Sequence, residues 1–473
     1  MRRCVAPHAV CVLVVALILV ANSVWFCASA AASNDSPSEH AGAGGSVHHR
    51  HLDELVAQHF SPFIHEDTGW HVPVSPSTLD AMEVRAPEAR CPRSSVLLPI
   101  LRRSQVVYRH CHVRVRIVSR NVAFRYFSSD LESGFKRERA ERVLHDLLDV
   151  ARGGGGGVPP VDFFFSACDH PVSADNTFMG RRAGFVVFAS HVAEGVSIDV
   201  PYPDPLDLSP AYFPPDVHAA AVPWEARRRV AVFRGSTTNF DLFDGNWYAA
   251  PRLQLARLSA LWPDELDAGV TKVVKARACN HNDAAQRTYG CAAEWSGTCC
   301  VPGGASAVLA SLNISLAASL DYAALARYKY VIEAEGGLGS SRTCGLFVKH
   351  GGVVMRQRSA FKQFFAPLLV SGRHFVEVDR HWGDLRAQLA WLHEHDDEAQ
   401  RIAQRGAALM APLCTRGVRL TYWAKLLRTY ATLLTEPPRM PPAAEFTACP
   451  FGATNSSCPR TAWRLAADLP PPP

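Results

Sequence analysis

Between residues 229 and 434, short apolar runs alternate with amphipathic segments, and this alternation restricts the folds that the chain can adopt. Four runs have the length of buried strands: 230–233, 330–332, 352–355 and 374–378. Three segments have apolar residues at helical spacing: 384–392, 398–410 and 420–434. Strands that alternate with helices form a parallel sheet covered by helices, and such a sheet binds ligands at the carboxyl ends of its strands. We therefore predict an α/β fold.

Two of these strand ends are followed by glycine, hydroxyl side chains and an arginine. The first, residues 234–238, is Arg-Gly-Ser-Thr-Thr, and the second, residues 335–342, is Glu-Gly-Gly-Leu-Gly-Ser-Ser-Arg. Glycine lets the backbone approach an anion, hydroxyls and free N–H groups donate hydrogen bonds, and a guanidinium binds two phosphate oxygens at once. For either arginine alone, a surface salt bridge is the alternative. The two turns together favour a diphosphate ligand and a nucleotide-sugar enzyme.

The candidate donor-binding residues come from these two turns and from one arginine between them in the sequence. They are Arg234, Gly235, Ser236, Thr237, Arg252, Gly336, Ser340, Ser341 and Arg342. The signal is weakest for Arg252, because its context, Ala-Pro-Arg-Leu, also suits the beginning of a helix.

A further candidate follows the apolar run 161–166, where the chain continues Ala-Cys-Asp-His-Pro. A carboxylate just past the end of a buried strand is well placed to act as a general base, so Asp169 is the candidate catalytic residue. His170 is a lesser candidate for the same role. An aspartate before a turn also serves as an Asx residue, and the local sequence leaves both interpretations open.

The acidic residues do not indicate a metal site. Metal-dependent glycosyltransferases usually hold their metal with an Asp-x-Asp pair after a strand. Here the pairs Asp204 with Asp207 and Asp241 with Asp244 have a different spacing and lie in predicted loops. We therefore expect arginines, rather than a metal ion, to neutralise the diphosphate, and we expect no cofactor other than the donor substrate.

The cysteines favour an oxidising compartment. Of the 14 cysteines three lie in the first 27 residues, which leaves an odd number, so at least one thiol is free or bonded to another chain. Four lie close together: Cys279, Cys291, Cys299 and Cys300. Their spacing fits no standard zinc motif, and adjacent cysteines ligate one metal poorly, so we predict disulfides for this group.

The amino end has the pattern of a targeting segment. Residues 1–32 combine two early arginines, the apolar run 10–21 and an Ala-Ser-Ala sequence typical of a signal-peptidase site, and we assign them to a signal peptide or signal anchor. Residues 33–55, rich in serine, alanine, glycine and histidine, are predicted to form a flexible stem. We expect the body to face the lumen of the endoplasmic reticulum or Golgi, or to be secreted or held by a type II anchor.

Charge and hydropathy limit the partners. A net charge of +5 is small for 473 residues and the basic residues are scattered, so we expect no nucleic-acid partner. No second segment is long and apolar enough to span a bilayer, so we expect a membrane contact only through an uncleaved anchor. Three Asn-x-Ser sequons, at Asn34, Asn313 and Asn455, agree with a secretory compartment.

The order of several short motifs resembles that of the protein O-glucosyltransferase family. This family comprises the Rumi-type and KDEL-containing enzymes and the fungal capsule-associated xylosyltransferases (glycosyltransferase family 90). Phe-Arg-Gly-Ser at 233–236 is similar to the family's donor-loop signature, and further motifs follow in the family's order at 251–253, 266–268, 328–330, 340–342 and 374–378. Residues 165–171 resemble the segment with the family's catalytic aspartate, although Ser166 replaces the family's asparagine.

The resemblance implies a fold of the GT-B type, in which two Rossmann-like domains face a central cleft. It assigns 56–225 to an acceptor-side domain and 226–435 to a nucleotide-sugar-binding domain. The density of prolines in the remaining residues, 436–473, predicts an irregular tail. The resemblance also implies that glucose or xylose moves from a UDP-sugar to a hydroxyl of a protein or glycan, with inversion. Asp169 would take the proton from the acceptor. The leaving UDP would be stabilised by Arg234, Ser236, Ser340 and Arg342.

Two other functions fit the same residues. An exostosin-like polysaccharide glycosyltransferase also combines a GT-B fold with an arginine-bearing Gly/Ser loop. A catalytically inactive luminal protein that binds a sugar or a nucleotide would keep the fold without turnover.

Overall fold

The computed structural model describes residues 54, 112–126, 131, 134–153, 157–168, 187–193, 199–217, 222–238, 250–274, 303–336, 340, 342–451, 459 and 462–471. The chain divides into two compact units, Met1–Arg50 and His51–Pro473, and every described residue belongs to the second. Several sequence predictions concern residues outside the described ranges. They are the targeting segment and most of the stem, Asp169, His170, Asp241, Asp244, Ser341, the four clustered cysteines and the sequons at Asn34 and Asn455.

The secondary structure consists of the following elements. The strands are β1 His112–Val118, β2 Asn121–Tyr126, β3 Val161–Ser166, β4 Val187–Ala189, β5 Val192–Ala193, β6 Val200–Pro201, β7 Arg228–Ser236, β8 Leu266–Lys272, β9 Tyr328–Glu333, β10 Val353–Gln357, β11 Phe361–Lys362, β12 Val376–Val378 and β13 Arg464–Leu465. The helices are α1 Gly134–Arg152, α2 Pro251–Leu261, α3 Gly304–Leu312, α4 Tyr322–Leu325, α5 Leu385–Glu394, α6 Asp396–Leu413 and α7 Arg416–Ala431. Within the described ranges, no helix has the length and apolar character needed to cross a membrane.

Five parallel strands form one sheet, in the order β12-β10-β9-β7-β8. Successive side chains point to opposite faces of a strand, and both faces of this sheet are buried. Phe233 and Tyr330 pack on one face in a core shared with α5 and α6. Val232 and Val331 pack on the other face in a core shared with α1, α7 and the strands of the second sheet. The predicted alternation of strands and helices is confirmed here.

The other large sheet is mixed, with the strand order β13-β2-β1-β3-β4-β6. Strand β1 is antiparallel to both β2 and β3, whereas β3, β4 and β6 are mutually parallel. The antiparallel part follows from the turn between β1 and β2, where Ser119 and Arg120 have φ values of 48° and 74°. Two successive residues with positive φ form the turn that joins antiparallel strands. Among the described strands of this sheet, the parallel pairing of a Rossmann-like domain is therefore confined to β3, β4 and β6.

Helix α7 and the tail pack against the mixed sheet, although they follow the parallel sheet in sequence. Tyr422 Oη donates to the carbonyl oxygen of Pro201 at 3.0 Å, and Tyr430 Oη donates to that of Asp162 at 3.0 Å. In the tail, β13 pairs antiparallel with β2. The expectation of an irregular tail is therefore wrong at β13, because the tail supplies the edge strand of this sheet. The domain boundaries near residues 225 and 435 stay predictions.

His350 is a buried histidine at the end of the π-helix Gly345–His350, which connects the region of the second predicted turn to β10. Its Nδ1 accepts a hydrogen bond from the Gly352 N–H at 3.0 Å. Burial, reinforced by the positive charge of Arg227, lowers the pKa of His350 to about 3. The imidazole is therefore neutral in the folded protein at physiological pH.

Acid should destabilise the protein through His350. Between pH 6.5, the ordinary pKa of histidine, and about pH 3, His350 is protonated in the unfolded chain but stays neutral in the folded protein. The free energy of unfolding therefore decreases as the pH is lowered through this range. At about pH 5 the loss is about 2 kcal/mol relative to neutral pH, since one pKa unit corresponds to about 1.4 kcal/mol. Urea unfolding of the wild type and of His350→Asn, which keeps an acceptor for Gly352, measures this effect. Parallel pH profiles for the two proteins would contradict it.

Candidate active site

The two predicted turns lie at the same edge of the parallel sheet. Strands β7 and β9 are hydrogen-bonded neighbours that run in the same direction, so their carboxyl ends coincide. Arg234, Gly235 and Ser236 are the last residues of β7, and Gly336 follows the end of β9. The site is therefore built where one would expect a ligand in an α/β protein.

Arg252, in the first turn of α2, is almost completely buried and joins the two turns. Its guanidinium donates to the carbonyl oxygen of Ser236 at 2.7 Å and to those of Ala334 and Glu335 at 2.8 and 2.9 Å. Its Nη1 also donates to the hydroxyl of Thr238, in the turn that follows β7, at 3.1 Å. Burial and the positive charge of Arg342 lower the pKa of Arg252 to about 9, so the group stays charged at neutral pH. Its donors are thus used to hold the turns together.

Arg234 is held by the neighbouring strand β8. Its guanidinium pairs with the Asp267 carboxylate at 2.7 Å and donates to the backbone carbonyls of Asp267, Phe233 and Ala318 at 2.8, 2.9 and 3.2 Å. Tyr328 Oη donates to the other carboxylate oxygen at 2.5 Å. Desolvation opposes the ionisation of Asp267, but the hydrogen bonds from Tyr328 and Arg234 outweigh it and lower the pKa. The side chain of Arg234 thus points to Asp267. Its predicted contact with the donor substrate stays a prediction.

Arg342 keeps most of its guanidinium available. Its Nη2 donates to the carbonyl oxygen of Arg234 at 2.9 Å, and to the described part of the chain the guanidinium makes no other hydrogen bond. The Arg342 N–H donates to Ser340 Oγ at 3.4 Å. A partly exposed guanidinium with free Nε and Nη1 donors is suited to bind an anion.

Gly235 lies between the two guanidinium groups. A β-carbon at this position would be 3.3 Å from Arg252 Nη1 and 3.3 Å from Arg342 Nη2. It would also be 2.9 Å from the ring of Phe233, closer than carbon atoms can pack. Glycine therefore leaves room for the two arginines to approach the turn together, and its predicted role in the approach of the backbone to an anion stays a prediction.

The residue after Arg342 connects the second turn to distant segments. The hydroxyl of Thr343 is buried, donates to the Glu333 carboxylate at the end of β9, and lies 3.0 Å from Gln363 Oε1. Gln363 Nε2 in turn donates to Asp207 Oδ2 at 3.0 Å. Asp207 belongs to the region between β6 and β7, so Gln363 links that region to Thr343 through its hydrogen bond to Asp207 and its close contact with the Thr343 hydroxyl.

A disulfide bond fixes the same turn from the other side. It joins Cys344 to Cys414, which directly follows α6, with a sequence separation of 70 residues. The described residues Cys168 and Cys449 are also disulfide-bonded. The four described cysteines are thus all disulfide-bonded, and one of these bonds lies two residues from Arg342, whereas the disulfides predicted for the group at 279–300 stay a prediction.

Removal of the Cys344–Cys414 bond should lower the free energy of unfolding by about 2–4 kcal/mol, because the cross-link restricts the unfolded chain. Urea unfolding of the oxidised wild type and of a variant with Cys344→Ser and Cys414→Ser measures the difference. The same midpoint and slope in both proteins would show that the bond does not stabilise the fold.

Glu335 and Asp267 are acidic residues of the site that the sequence motifs did not indicate as functional. Burial raises the pKa of Glu335, whose carboxylate accepts a hydrogen bond from Ser359 Oγ at 2.8 Å. Its backbone N–H donates to Gln357 Oε1 at 2.8 Å. The available signals were the position of Glu335 directly before Gly336 and that of Asp267 on the neighbouring strand. Both carboxylates offset part of the positive charge of the arginines.

At the carboxyl end of β3 the described residues stop at Cys168, so Asp169 lies outside them. The hydroxyl of Ser190, at the end of β4, is 3.5 Å from the carbonyl oxygen of Cys168 and 3.1 Å from Nδ1 of His191. Both side chains are buried. The following strand, β5, pairs antiparallel with β11. In the sequence, β11 lies between Ser359, which contacts Glu335, and Gln363, which contacts Thr343. The strand edge that precedes Asp169 is therefore linked to the segment that supports the two turns.

Within the described ranges, no group of three or more His, Cys, Asp or Glu residues could hold a metal ion. Asp204 pairs with Arg139 at 2.8 Å, and Asp207 accepts its hydrogen bond from Gln363. Metal independence stays a prediction, as do the ligand-binding roles of the selected residues.

Arginine-bearing turns at the carboxyl edge of a parallel sheet are suited to bind an anionic ligand, and comparison with known families gives the class of protein. The family described as "Glycosyl transferase family 90" matches residues 102–456, which is most of the chain. The chain belongs to this family.

Its relatives include several protein O-glucosyltransferases. The chain is 26% identical to protein O-glucosyltransferase 3 of Mus musculus over 129 residues, which cover 27% of this chain and 25% of that protein. It is 27% identical to protein O-glucosyltransferase 1 of Rattus norvegicus over 216 residues, 46% of this chain and 45% of that protein. The identity with the Homo sapiens protein O-glucosyltransferase 1 is 29% over 108 residues, with 23% and 27% covered. The chain thus spans between a quarter and just under half of the length of these relatives.

Proposed function

We propose that the protein is a luminal, inverting glycosyltransferase with a GT-B fold. It moves glucose or xylose from a UDP-sugar to a hydroxyl of a protein or glycan. Membership of glycosyl transferase family 90 supports glycosyl transfer, and the names of the relatives support a glucosyl donor and a protein acceptor. The observation that carries the proposal is the pair of turns at β7 and β9, where Arg342 has free donors beside Gly235.

The donor half of the mechanism concerns the leaving group. As the bond between the anomeric carbon and UDP breaks, negative charge grows on the diphosphate. The free N–H groups of Arg342, together with the Ser236 and Ser340 hydroxyls, stabilise that charge. Removal of one such donor typically costs about 3–4 kcal/mol of transition-state stabilisation. Arg252 contributes by holding both turns in place, since its own donors are used by backbone carbonyls.

The acceptor half assigns the general base to Asp169. Its carboxylate takes the proton from the acceptor hydroxyl while the acceptor oxygen forms a bond with the anomeric carbon and the bond to UDP breaks. This single displacement inverts the anomeric centre. The assignment is supported by the resemblance of residues 165–171 to the family's catalytic segment and by the position of Asp169 directly after the β3 edge. The charge of Arg342, with that of Arg252 beside Gly235, offsets the charge of the diphosphate, so we propose no metal requirement.

A donor screen tests the function. The purified protein without residues 1–32 is incubated with a panel of UDP-sugars, with and without chelator, and UDP release is followed. We expect release from UDP-glucose or UDP-xylose, insensitivity to the chelator, and a large loss in Asp169→Asn. A wild-type protein that binds UDP but neither hydrolyses nor transfers any UDP-sugar would instead be a binding protein.

A further inference from the structure

Residue Asn313 caps the carboxyl end of α3 in the left-handed conformation, with φ 52° and ψ 45°. Asparagine tolerates this conformation better than other residues with a β-carbon. The backbone N–H of Asn313 closes the helix by donating to the Ala310 carbonyl oxygen at 3.0 Å. The side-chain amide, in contrast, is exposed and makes no hydrogen bond to the described part of the chain. The backbone is thus fixed while the amide remains available.

The next residues keep the same part of the chain at the surface. Ile314 is partly buried and packs on a small core formed by α2, β8 and α3, whereas Ser315 is exposed. Ala317 N–H donates to the Val270 carbonyl oxygen at 2.9 Å. The segment is therefore anchored through Ile314 and Ala317, and the two polar residues on either side of Ile314 face solvent.

These three residues form the sequence Asn-Ile-Ser, an acceptor pattern for N-linked glycans. We infer that Asn313 is an N-glycosylation site of the folded protein; this rests on the luminal location in the proposed function. In the reaction, the amide nitrogen forms a bond with the anomeric carbon of a lipid-diphosphate-linked oligosaccharide. The bond from that carbon to the diphosphate breaks, the lipid diphosphate leaves, and an amide proton is lost to a base of the transferring enzyme.

The folded structure accommodates such a glycan without rearrangement. Neither hydrogen bonds nor packing hold the Asn313 side chain, so a sugar attached to its amide displaces no described contact. Leu316, three residues further on, is 53% exposed, and the first sugars of a glycan at Asn313 would cover this apolar side chain. Asn313 takes no part in the hydrogen bonds of Arg234, Arg252 or Arg342. The segment reaches the donor site through the carbonyl oxygen of Ala318, which accepts from Arg234 Nε at 3.2 Å, and a sugar on the exposed Asn313 amide does not replace that bond.

The test uses the full chain produced in a eukaryotic secretory host. The wild type, Asn313→Gln, Ser315→Ala and Ser315→Thr are treated with peptide N-glycosidase, and the peptide that contains residue 313 is identified by mass spectrometry. We expect a glycan on Asn313 in the wild type and in Ser315→Thr, which preserves the acceptor pattern, and its loss in the other two variants. We also expect UDP release by Asn313→Gln at the wild-type rate.

The oxidation state of Cys344 and Cys414 separates the possible failures. An oxidised pair shows that the chain has reached an oxidising lumen. If the pair is oxidised and Asn313 carries no glycan, the inference is overturned while the proposed function stands. If the pair is reduced and no sequon is modified, the luminal location is wrong and the inference fails with it.

Discussion

Replacement of Arg342 by alanine is expected to reduce the turnover of a UDP-sugar by about 100- to 1000-fold while the protein stays folded. In the proposed mechanism, the free Nε and Nη1 groups of Arg342 donate to the diphosphate as its negative charge grows. To the described chain, its guanidinium makes one hydrogen bond, to the carbonyl oxygen of Arg234, so the free energy of unfolding should change by no more than about 1–2 kcal/mol. Steady-state UDP release and urea unfolding of the same preparation measure both quantities.

Two further variants make this result specific. Arg386 lies on α5 and forms an exposed ion pair with Glu265. Arg386→Ala removes the same charge as Arg342→Ala and should leave turnover unchanged. Arg342→Lys keeps the charge but loses the planar fork that matches a phosphate, so we expect only partial recovery. Equal turnover in Arg342→Ala and the wild type, or an equal loss in Arg342→Ala and Arg386→Ala, would remove Arg342 from the mechanism.

Replacement of Arg252 by alanine is expected to act mainly on stability, with a loss of about 5 kcal/mol in the free energy of unfolding. The buried guanidinium satisfies the carbonyl oxygens of Ser236, Ala334 and Glu335, and each buried acceptor left without a partner costs about 1–3 kcal/mol. Turnover should fall as well, because the turns at β7 and β9 are no longer held together. Differential scanning calorimetry and urea unfolding measure the stability loss.

The same surface arginine serves as a control for Arg252. Arg386→Ala should cost at most about 1 kcal/mol, as expected for an exposed ion pair. Arg252→Lys retains a charge but cannot reach both turns with one ammonium group, so its stability should lie between those of the wild type and Arg252→Ala. A midpoint for Arg252→Ala equal to that of Arg386→Ala would show that the two turns do not depend on this residue.

Four of the five strands of the parallel sheet were predictable because both faces of the sheet are buried and these strands contain short continuous apolar runs. Strand β8, with the sequence Leu-Asp-Ala-Gly-Val-Thr-Lys, has no such run and was not predicted. The runs 230–233 and 330–332 lie inside β7 and β9, and the predicted helices coincide with α5, α6 and α7 to within a few residues. The apolar pattern of α7 shows that one side of it is buried, but it does not say against which sheet. That choice is made by tertiary contacts such as those of Tyr422 and Tyr430 with the mixed sheet.

The mixed sheet was less predictable, because one of its turns has an unusual sequence and one of its strands is very short. The turn Ser119-Arg120 adopts positive φ values without the Asn-Gly or Asp-Gly sequence that usually indicates such a hairpin. Strand β13 has only two residues, Arg464 and Leu465, within a proline-rich segment, so no periodic pattern marks it. Its pairing with β2 depends on a partner more than 300 residues away in the sequence.

In the candidate site, the proximity of the two turns was predictable. The groups that each arginine contacts were not. Neighbouring parallel strands bring their carboxyl ends together, so two glycine-rich turns on such strands must meet. Arg252 donates to backbone carbonyl oxygens, which every residue has, so the sequence does not indicate these contacts. Arg234 is directed to Asp267 because the pairing of β7 with β8 places the carboxylate beside it.

Calorimetric titration of UDP into the wild type, Arg342→Ala and Arg386→Ala tests most directly whether the Arg342 turn is the nucleotide site. We expect one UDP site in the wild type and unchanged affinity in Arg386→Ala. In Arg342→Ala we expect about 10- to 100-fold weaker binding, because a charged hydrogen-bond donor is lost. No binding of UDP to the wild type, or equal affinity in the wild type and Arg342→Ala, would show that the Arg342 turn is not the nucleotide site.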